Sequence, residues 1–385
     1  MKGRWIALAL SLGLLVPAVP GAEVTDPLLK KLVDKGALTT ADAEEVEAKN
    51  AGLKGVSIGA TVFFDYSAGH TGGPTKTEYN RFTLQRGYIN IRKEITPWFK
   101  ARITPDIKTS STTTGDYTIR LKYLYADFLA GDLGPLTNND VRAGLGHTPL
   151  LDFEEGMNTY RMQSTMFQDK RALLTSSDLG VSVLGNFGGK LTDEQVAEVD
   201  NKHYTGRYGG YHIGVYNGGG YSSATGETNH NKAVQGRITV RPLPDVVPGL
   251  QVTYHGIVGD GNGAGSPSWV NNTGMVSYQS RYGVAIAEYM AGRGQISGAD
   301  SNKKNGYSLF GKFIVPAYRK VAVFARYDSL DPDTATADDR ITTTIGGVSY
   351  RITGENLLVA AYENTHDETK AEDDRKGQVV LQISF

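Results

Sequence analysis

The last ten residues, Lys376-Gly377-Gln378-Val379-Val380-Leu381-Gln382-Ile383-Ser384-Phe385, constrain the fold more than any other stretch. Successive side chains of an extended strand point to opposite faces. Val379, Leu381, Ile383 and Phe385 therefore share one face, and Lys376, Gln378, Gln382 and Ser384 the other. A strand of this kind suits lipid on its outer side and water on its inner side.

The opposite end agrees. Lys2 and Arg4 precede an apolar run from Trp5 to Val16, then Pro17, Pro20 and the small pair Gly21-Ala22. This reads as an export signal over 1–22, cleaved after Gly21 or Ala22, because the run is shorter than the ~18 apolar residues of a spanning helix. With no cysteine in the chain, disulfides, Cys-ligated zinc, covalent haem and a lipoprotein anchor are excluded, and no cofactor or metal is expected. A hydrophobic fraction of 39% is too low for a bundle of membrane helices, whereas a barrel needs apolar residues only at alternate positions. The 40 Lys and Arg against 41 Asp and Glu give no reason to expect nucleic acid as a partner.

Residues 23–54 have helical rather than strand periodicity. Asp26 is an N-cap followed by Pro27, Leu28, Leu29, Leu32 and Val33 form one stripe, and Gly36 marks a stop. Thr39 and Asp42 open a second helix through Ala43, Val46 and Lys49. A periplasmic helical extension is expected, and the stripe is too short for the several heptads of a partner-binding coiled coil.

From Gly55 the period becomes two, beginning with Val56, Ile58, Val62, Phe64 and Tyr66. Alternation returns at Phe99-Ala101-Ile103, Ile119-Leu121-Tyr123-Tyr125, Tyr211-Ile213-Val215, Val321-Val323-Ala325-Tyr327 and several further segments. Tight connections such as Thr96-Pro97 and Thr353-Gly354-Glu355 alternate with long polar ones such as Ala68 to Thr77 and Asp260 to Asn272. The expected fold is all-β, a transmembrane antiparallel barrel over 55–385 with about sixteen strands, fourteen or eighteen remaining open. A phase change near Gln85-Arg86-Gly87 predicts a β-bulge, and Ser277 to Met290 must hold a hairpin almost without turn residues.

Several segments, in order, resemble the phosphate-selective porin O and P family of bacterial outer membranes. They are the leucine-rich opening helix ending in Lys35-Gly36, Arg81-Phe82-Thr83-Leu84-Gln85-Arg86-Gly87, Val141 to Pro149, Leu173 to Gly180, and Val215-Tyr216-Asn217-Gly218. The resemblance implies a sixteen-stranded barrel in outer-membrane lipid, a homotrimer, a basic channel, and a third loop folded inward, here near 149–176.

If the apolar faces meet lipid, the opposite faces line water. They carry Lys100, Arg102, Arg120, Lys122, Arg142, Arg237, Arg241, Lys312, Arg326, Arg351 and Lys376, against Asp65, Asp106, Asp328 and Glu363. A wall with more unpaired bases than acids favours anions; the alternative is that these charges pair across strands and fill the interior. The inward loop has Arg161, Lys170 and Arg171 but also Asp152, Glu154, Glu155 and Asp169. It is nearly neutral, which suits a mixed constriction better than a dedicated phosphate site. Lys170 and Arg171 pairing with Asp169 and Glu155 is the plainer alternative.

Other signals fall away. Gly306 to Lys312 has phosphate-loop spacing, but Phe313 replaces the required hydroxyl residue. Asp260-Gly261-Asn262-Gly263 starts like a calcium loop and lacks its distal Glu. The seven histidines show no HExxH spacing, no GxSxG elbow is present, and no enzyme is expected. The reading is a porin for passive diffusion of small hydrophilic solutes, preferring small anionic ones and including phosphate-like anions. Its rival is a barrel sheath around a multihaem cytochrome, completing an electron conduit.

A terminal aromatic on the lipid face has an interfacial boundary to occupy. Phe385→Asp should therefore lower the yield of folded, heat-modifiable protein, measured by gel mobility with and without boiling.

Overall fold

The computed structural model describes residues 24, 26–50, 52–73, 75–109, 115–222 and 230–385. The signal reading over 1–22 lies outside the described residues. Two units are present, one ending at Lys54 and the other running from Gly55 to Phe385.

In the first unit α1 (Pro27–Asp34) and α2 (Thr40–Asn50) form where the caps direct. The Asp26 carboxylate accepts from the Leu28 and Leu29 amides at 2.8 and 3.0 Å, and Gly36 takes φ +66° just past the end of α1. Thr39 and Asp42 exchange side-chain to backbone bonds at 3.1 Å. The Thr39 hydroxyl, followed by its amide, holds the Asp42 carboxyl below the usual range.

The second unit is a closed antiparallel barrel. Its strands are β1 (Val56–Thr71), β2 (Thr77–Thr96), β3 (Phe99–Thr109), β4 (Tyr117–Leu133), β5 (Leu136–His147), β6 (Ser177–Phe187), β7 (Gly209–Tyr216) and β8 (Ala233–Val240). The circuit continues through β9 (Leu250–Asp260), β10 (Ser268–Ser280), β11 (Gly283–Arg293), β12 (Lys303–Ile314), β13 (Val321–Asp331), β14 (Ile341–Thr353), β15 (Asn356–Asp367) and β16 (Asp374–Ser384). Each strand pairs with its sequence neighbours, and β1 closes on β16 from Thr61↔Ser384 to His70↔Arg375. Closure removes the free sheet edges that lipid cannot solvate.

The outer face is apolar, with Val181, Val215, Val252, Leu309, Val323 and Val379 among its exposed side chains. Near the tight turns it is aromatic: Phe99 stacks on Phe128 at 5.0 Å beside Trp98. This is the lipid-facing band with an aromatic girdle of a transmembrane barrel.

Among several register irregularities, two bulges set the phase of lumen-facing residues on β2 and β4. The register passes from Phe63↔Arg86 to Phe64↔Leu84, leaving Gln85 unpaired as expected. On β4 it passes from Thr104↔Tyr123 to Pro105↔Leu121, so Lys122 is extra and both it and Tyr123 are buried inside. Pro105, which has no N–H to donate, sits at this irregularity.

The connections depart from expectation at two places. β1 and β2 extend into the loop predicted from Ala68 to Thr77, leaving only 72–76 between them. The β6–β7 connection, on the side of the tight turns, is long and holds α5 (Asp193–Val199), started by a Thr192/Gln195 capping box. It is long because it packs inward. The Tyr204 hydroxyl donates to the Asp152 carbonyl at 2.6 Å, and Asn201 donates to the Gly156 carbonyl and Gln279.

The 148–176 connection carries α3 (Pro149–Glu155) and α4 (Phe167–Lys170) and lies against the inner wall. Leu150, Leu151, Phe153, Met157, Tyr160, Met162 and Met166 form one buried cluster with Ile257, Met275, Ile286, Phe310, Phe324, Ile345, Val359 and Val380. Tyr160 stacks on Phe324 at 4.0 Å and shares a 2.7 Å hydrogen bond with Ser349. Polar ties run to distant strands: Gln168 donates to Thr273 at 2.9 Å, and Gln378 donates to the Gln163 carbonyl at 3.0 Å. The expectation of a water-lined inner face throughout is thus corrected. Along β9–β16 much of that face is apolar because this inner segment covers it.

Each large apolar side chain so buried contributes about 1.5–3 kcal/mol. Leu151→Ala should cost the docked segment about 2–5 kcal/mol and be read as faster tryptic cleavage after Arg161 or Lys170 in the otherwise folded barrel.

Candidate functional site

The basic part of the lumen wall is β2–β4, of which only Tyr88 belongs to the apolar cluster. Period-two alternation sends Tyr88, Asn90, Arg92 and Glu94 inward from β2, and Lys100, Arg102, Thr104, Asp106 and Lys108 inward from β3. β4 adds Arg120 and, through its bulge, Lys122, Tyr123 and Tyr125. Residues two apart on a strand stand about 6.6–6.8 Å apart. The bases therefore form a ladder along the barrel wall.

The long-loop end of the ladder is organised by Asp106, which is fully buried. It accepts from Arg120 Nε at 2.8 Å and Arg86 Nη1 at 3.1 Å. The remaining Arg120 nitrogens donate to Ser222 and Tyr221, each at 2.8 Å. Lys122 has no acid within 4 Å among the described residues; its ammonium lies 4.7 Å from the Tyr88 ring and 5.2 Å from that of Tyr123. Arg102 likewise has polar partners but no acid, donating to Asn90 at 2.7 Å and Thr104 at 3.0 Å over the Tyr123 ring. Arg142 on β5 forks onto Asp127 at 2.7 and 3.2 Å, stacks over Tyr125, and contacts His147 at 2.9 Å. Lys100 pairs with Glu94 at 3.1 Å.

The inner segment faces this wall with Arg161, which contacts Glu155 directly and lies 3.6 Å from Asp169. Burial opposes the Arg161 charge, but Glu155 and Asp169 outweigh it and hold the guanidinium firmly protonated. Two cavities lie along this wall, the first of them shared with the inner segment. One of about 280 Å³ is lined by Arg86, Lys108, Arg161, Ser164 and Thr165, among others. The second, about 270 Å³, is lined by Arg92, Lys100, Arg102 and Asp127, among others.

The sequence-predicted site residues divide accordingly. Lys100, Arg102, Arg120, Lys122 and Arg142 come together on one wall. Arg237 is buried, donating to the Pro149 carbonyl at 3.0 Å over the Phe153 ring. Arg241 is buried on the Tyr204 carbonyl and Gln251, and Arg326 bonds Asp328 and the Thr165 carbonyl. Arg351 is exposed near the tight-turn end of β14.

On the inner segment, Lys170 and Arg171 do not take up Asp169 and Glu155, which Arg161 engages. Lys170 pairs with Glu363 at 2.7 Å and Arg171 with Thr343. Burial lowers the Lys170 pKa against the pull of Glu363. Asp152 lies 3.6 Å from His147, and Glu154 is buried against the wall. The expected surplus of unpaired bases is therefore reduced: Arg86, Arg120, Arg142, Arg326, Arg161 and Lys170 all have acid partners.

Arg86, Arg92 and Lys108 join the ladder without having been singled out in the sequence. The Gln85 bulge hides the phase of Arg86, whereas Arg92 and Lys108 share the phase of Asn90 and Asp106 and were open to the same reading. Among the described residues no group of three or more His, Cys, Asp or Glu is placed to hold a metal ion. What the ladder offers is a row of fixed positive charges, several clamped on aromatic rings, beside narrow polar space. Such a row lowers the barrier for anions.

Neither a protein-family model nor a curated protein sequence matches the chain. Solved structures do. An anion-selective porin from Comamonas acidovorans superposes with a TM-score of 0.59 at 12% identity, over 86% of this chain and 99% of that one. OprB of Pseudomonas putida gives 0.57 at 9% identity, over 90% and 98%. The trimer form of the outer membrane protein OmpT of Vibrio cholerae gives 0.52 at 10% identity, over 86% and 99%. At such identities the likeness is one of fold.

The forked Arg142–Asp127 pair is largely shielded from water. A double-mutant cycle with Arg142→Gln and Asp127→Asn should return a coupling of roughly 1–3 kcal/mol in unfolding free energy.

Proposed function

We propose that the chain is a porin of the bacterial outer membrane that passes small hydrophilic solutes by passive diffusion and prefers anions. The observation that carries the reading is the ladder on β2–β4, set opposite an inner segment that narrows the lumen. Pairing of many bases keeps the preference modest. Arg102 and Lys122, held by polar groups and aromatic rings rather than by acids, supply most of it. The anion-selective porin among the similar folds is consistent with this assignment.

Residues 149–176 act as the constriction, with Arg161, Glu155 and Asp169 at its face toward the ladder. Phosphate-like anions belong to the solutes the ladder would pass, in keeping with the resemblance to the O and P family. The bases of the inner segment are engaged by Glu155, Glu363 and Thr343, which speaks against a dedicated phosphate site there. Residues 23–54 form a periplasmic extension, and a homotrimer is the proposed assembly, supported by the trimer form of one similar barrel. The inner segment counts against a cytochrome sheath, since the chain's own apolar cluster occupies the space such a partner would need.

Reversal potentials in a salt gradient across planar bilayers test the assignment. Arg102→Gln and Lys122→Gln should each lower the anion-to-cation permeability ratio by roughly two- to five-fold in dilute salt, the effect shrinking as screening grows. Unchanged ratios in dilute salt would overturn anion preference.

A further inference from the structure

A further cavity lies in the lumen wall away from the ladder. It has a volume of about 240 Å³ and sits between β5–β9 and the inward-folded β6–β7 connection, with Phe153 of α3 and Tyr204 of the connection in its lining. The register explains where the room comes from. Gly210 of β7 stands level with Asn186 of β6 and Thr239 of β8 and brings no side chain to that level. A Cβ there would come within 2.6 Å of the Gly185 carbonyl oxygen, so close backbone packing keeps the position bare.

The two sides of this cavity carry opposite polar groups that nothing answers. On one side is Asp140 of β5, whose Oδ1 is buried without a hydrogen-bond partner. Arg142, two residues on, is forked onto Asp127, and Asp140 forms no ion pair among the described residues. On the other side is Gln251 of β9, 1% exposed. Its Oε1 accepts from Arg241 Nη2 at 3.3 Å, while its Nε2 has no partner. Arg237, on the neighbouring strand β8, also lines the cavity. It gives Nε to the Pro149 carbonyl and Nη1 to Thr239, and it too forms no ion pair among the described residues. A buried donor or acceptor left without a partner costs free energy and calls for an explanation. β5 and β9 are four inter-strand spacings apart, about 19 Å along the curved wall, so Asp140 and Gln251 cannot answer one another.

We propose that this cavity binds a small dipolar solute of the ω-amino acid class, with its ammonium on Asp140 and its carboxylate toward Gln251 Nε2 and Arg237. The polarity of each side fixes the class: a carboxylate accepts from an ammonium, and an amide and a guanidinium donate to an anion. The volume fixes the size. At the share of liquid volume that a water takes, the cavity corresponds to about eight waters. That is room for a few carbons between two charged ends and too little for a sugar chain or a nucleotide. The rings of Phe153 and Tyr204 offer apolar faces to the methylenes. Asn138 and His203, both exposed, also line the cavity and connect it to water. The site stands apart from the ladder's ion preference, since its unanswered groups lie on β5, β8 and β9.

Saturation-transfer NMR on the purified, folded barrel tests the site, with 4-aminobutyrate as the probe and butyrate and butylammonium as controls that each carry one of its charges. 4-Aminobutyrate should bind saturably, and each control should bind roughly ten-fold more weakly or less well still, the loss expected when one charge-assisted hydrogen bond is removed. Asp140→Asn keeps the shape of the side chain and removes its charge; it should weaken 4-aminobutyrate by roughly 10- to 100-fold. Gln251→Glu keeps the acceptor for Arg241 and removes the free donor, and it should weaken the probe to a similar degree. Gel mobility with and without boiling checks that both variants fold, and the isosteric Asp140→Asn carries the test if Gln251→Glu does not. Absence of saturable binding, which would leave the cavity to water alone, rules the site out. So does butyrate binding as tightly as 4-aminobutyrate, or an affinity unchanged in Asp140→Asn.

Discussion

Everything else in the molecule depends on the hydrogen-bonded closure of β1 onto β16. A strand in lipid has no water to satisfy its amides and carbonyls, so each needs a neighbour on both sides, and only a closed circuit supplies that. Closure in turn fixes which face of every strand is inside. Slipping a strand by one residue would send its inward charges to lipid and its lipid-facing valines to the lumen. The bulges at Gln85 and Lys122 are two of the places where phase changes without opening the circuit, and both lie beside the base ladder.

Inside this frame the lumen is divided by chemistry. Along β9–β16 the wall and the inner segment share an apolar cluster that includes Phe310, Phe324, Ile345 and Val380. Along β2–β4 the wall is polar and basic. The two halves support one another: the apolar half holds the segment in place, and the segment brings Arg161 and Glu155 within reach of the ladder. Ring faces and carboxylates then fix the bases, so the positive row keeps its spacing without mobile side chains filling the passage.

Much of this was legible from local pattern. The caps at Asp26 and Thr39, the Gln85 bulge, a hairpin somewhere within Ser277 to Met290, and the inward phase of Arg102, Arg120 and Arg142 follow from spacing alone. Arg86 was not legible, because the bulge interrupts the phase that would have placed it. Val380, Val359 and Ile345 were not singled out: their phase is inward, which alternation in a water-filled barrel reserves for polar residues. The long β6–β7 connection was also missed, since a tight turn was the general expectation and nothing local announced that Tyr204 would pack against Phe153 at 4.7 Å.

The sequence by itself determined the all-β class, the strand phases and the sign of the charges facing inward, because a period of two is set by neighbouring residues in an extended chain. The tertiary structure alone decided which inward residues meet water and which are covered. Arg102 and Arg237 have the same inward phase on their strands, yet one stands over an open cavity and the other lies beneath Phe153. Their difference comes from a segment whose contacts span long stretches of chain, such as Lys170 with Glu363. Pairing of that kind is a property of the closed fold, and no local period encodes it.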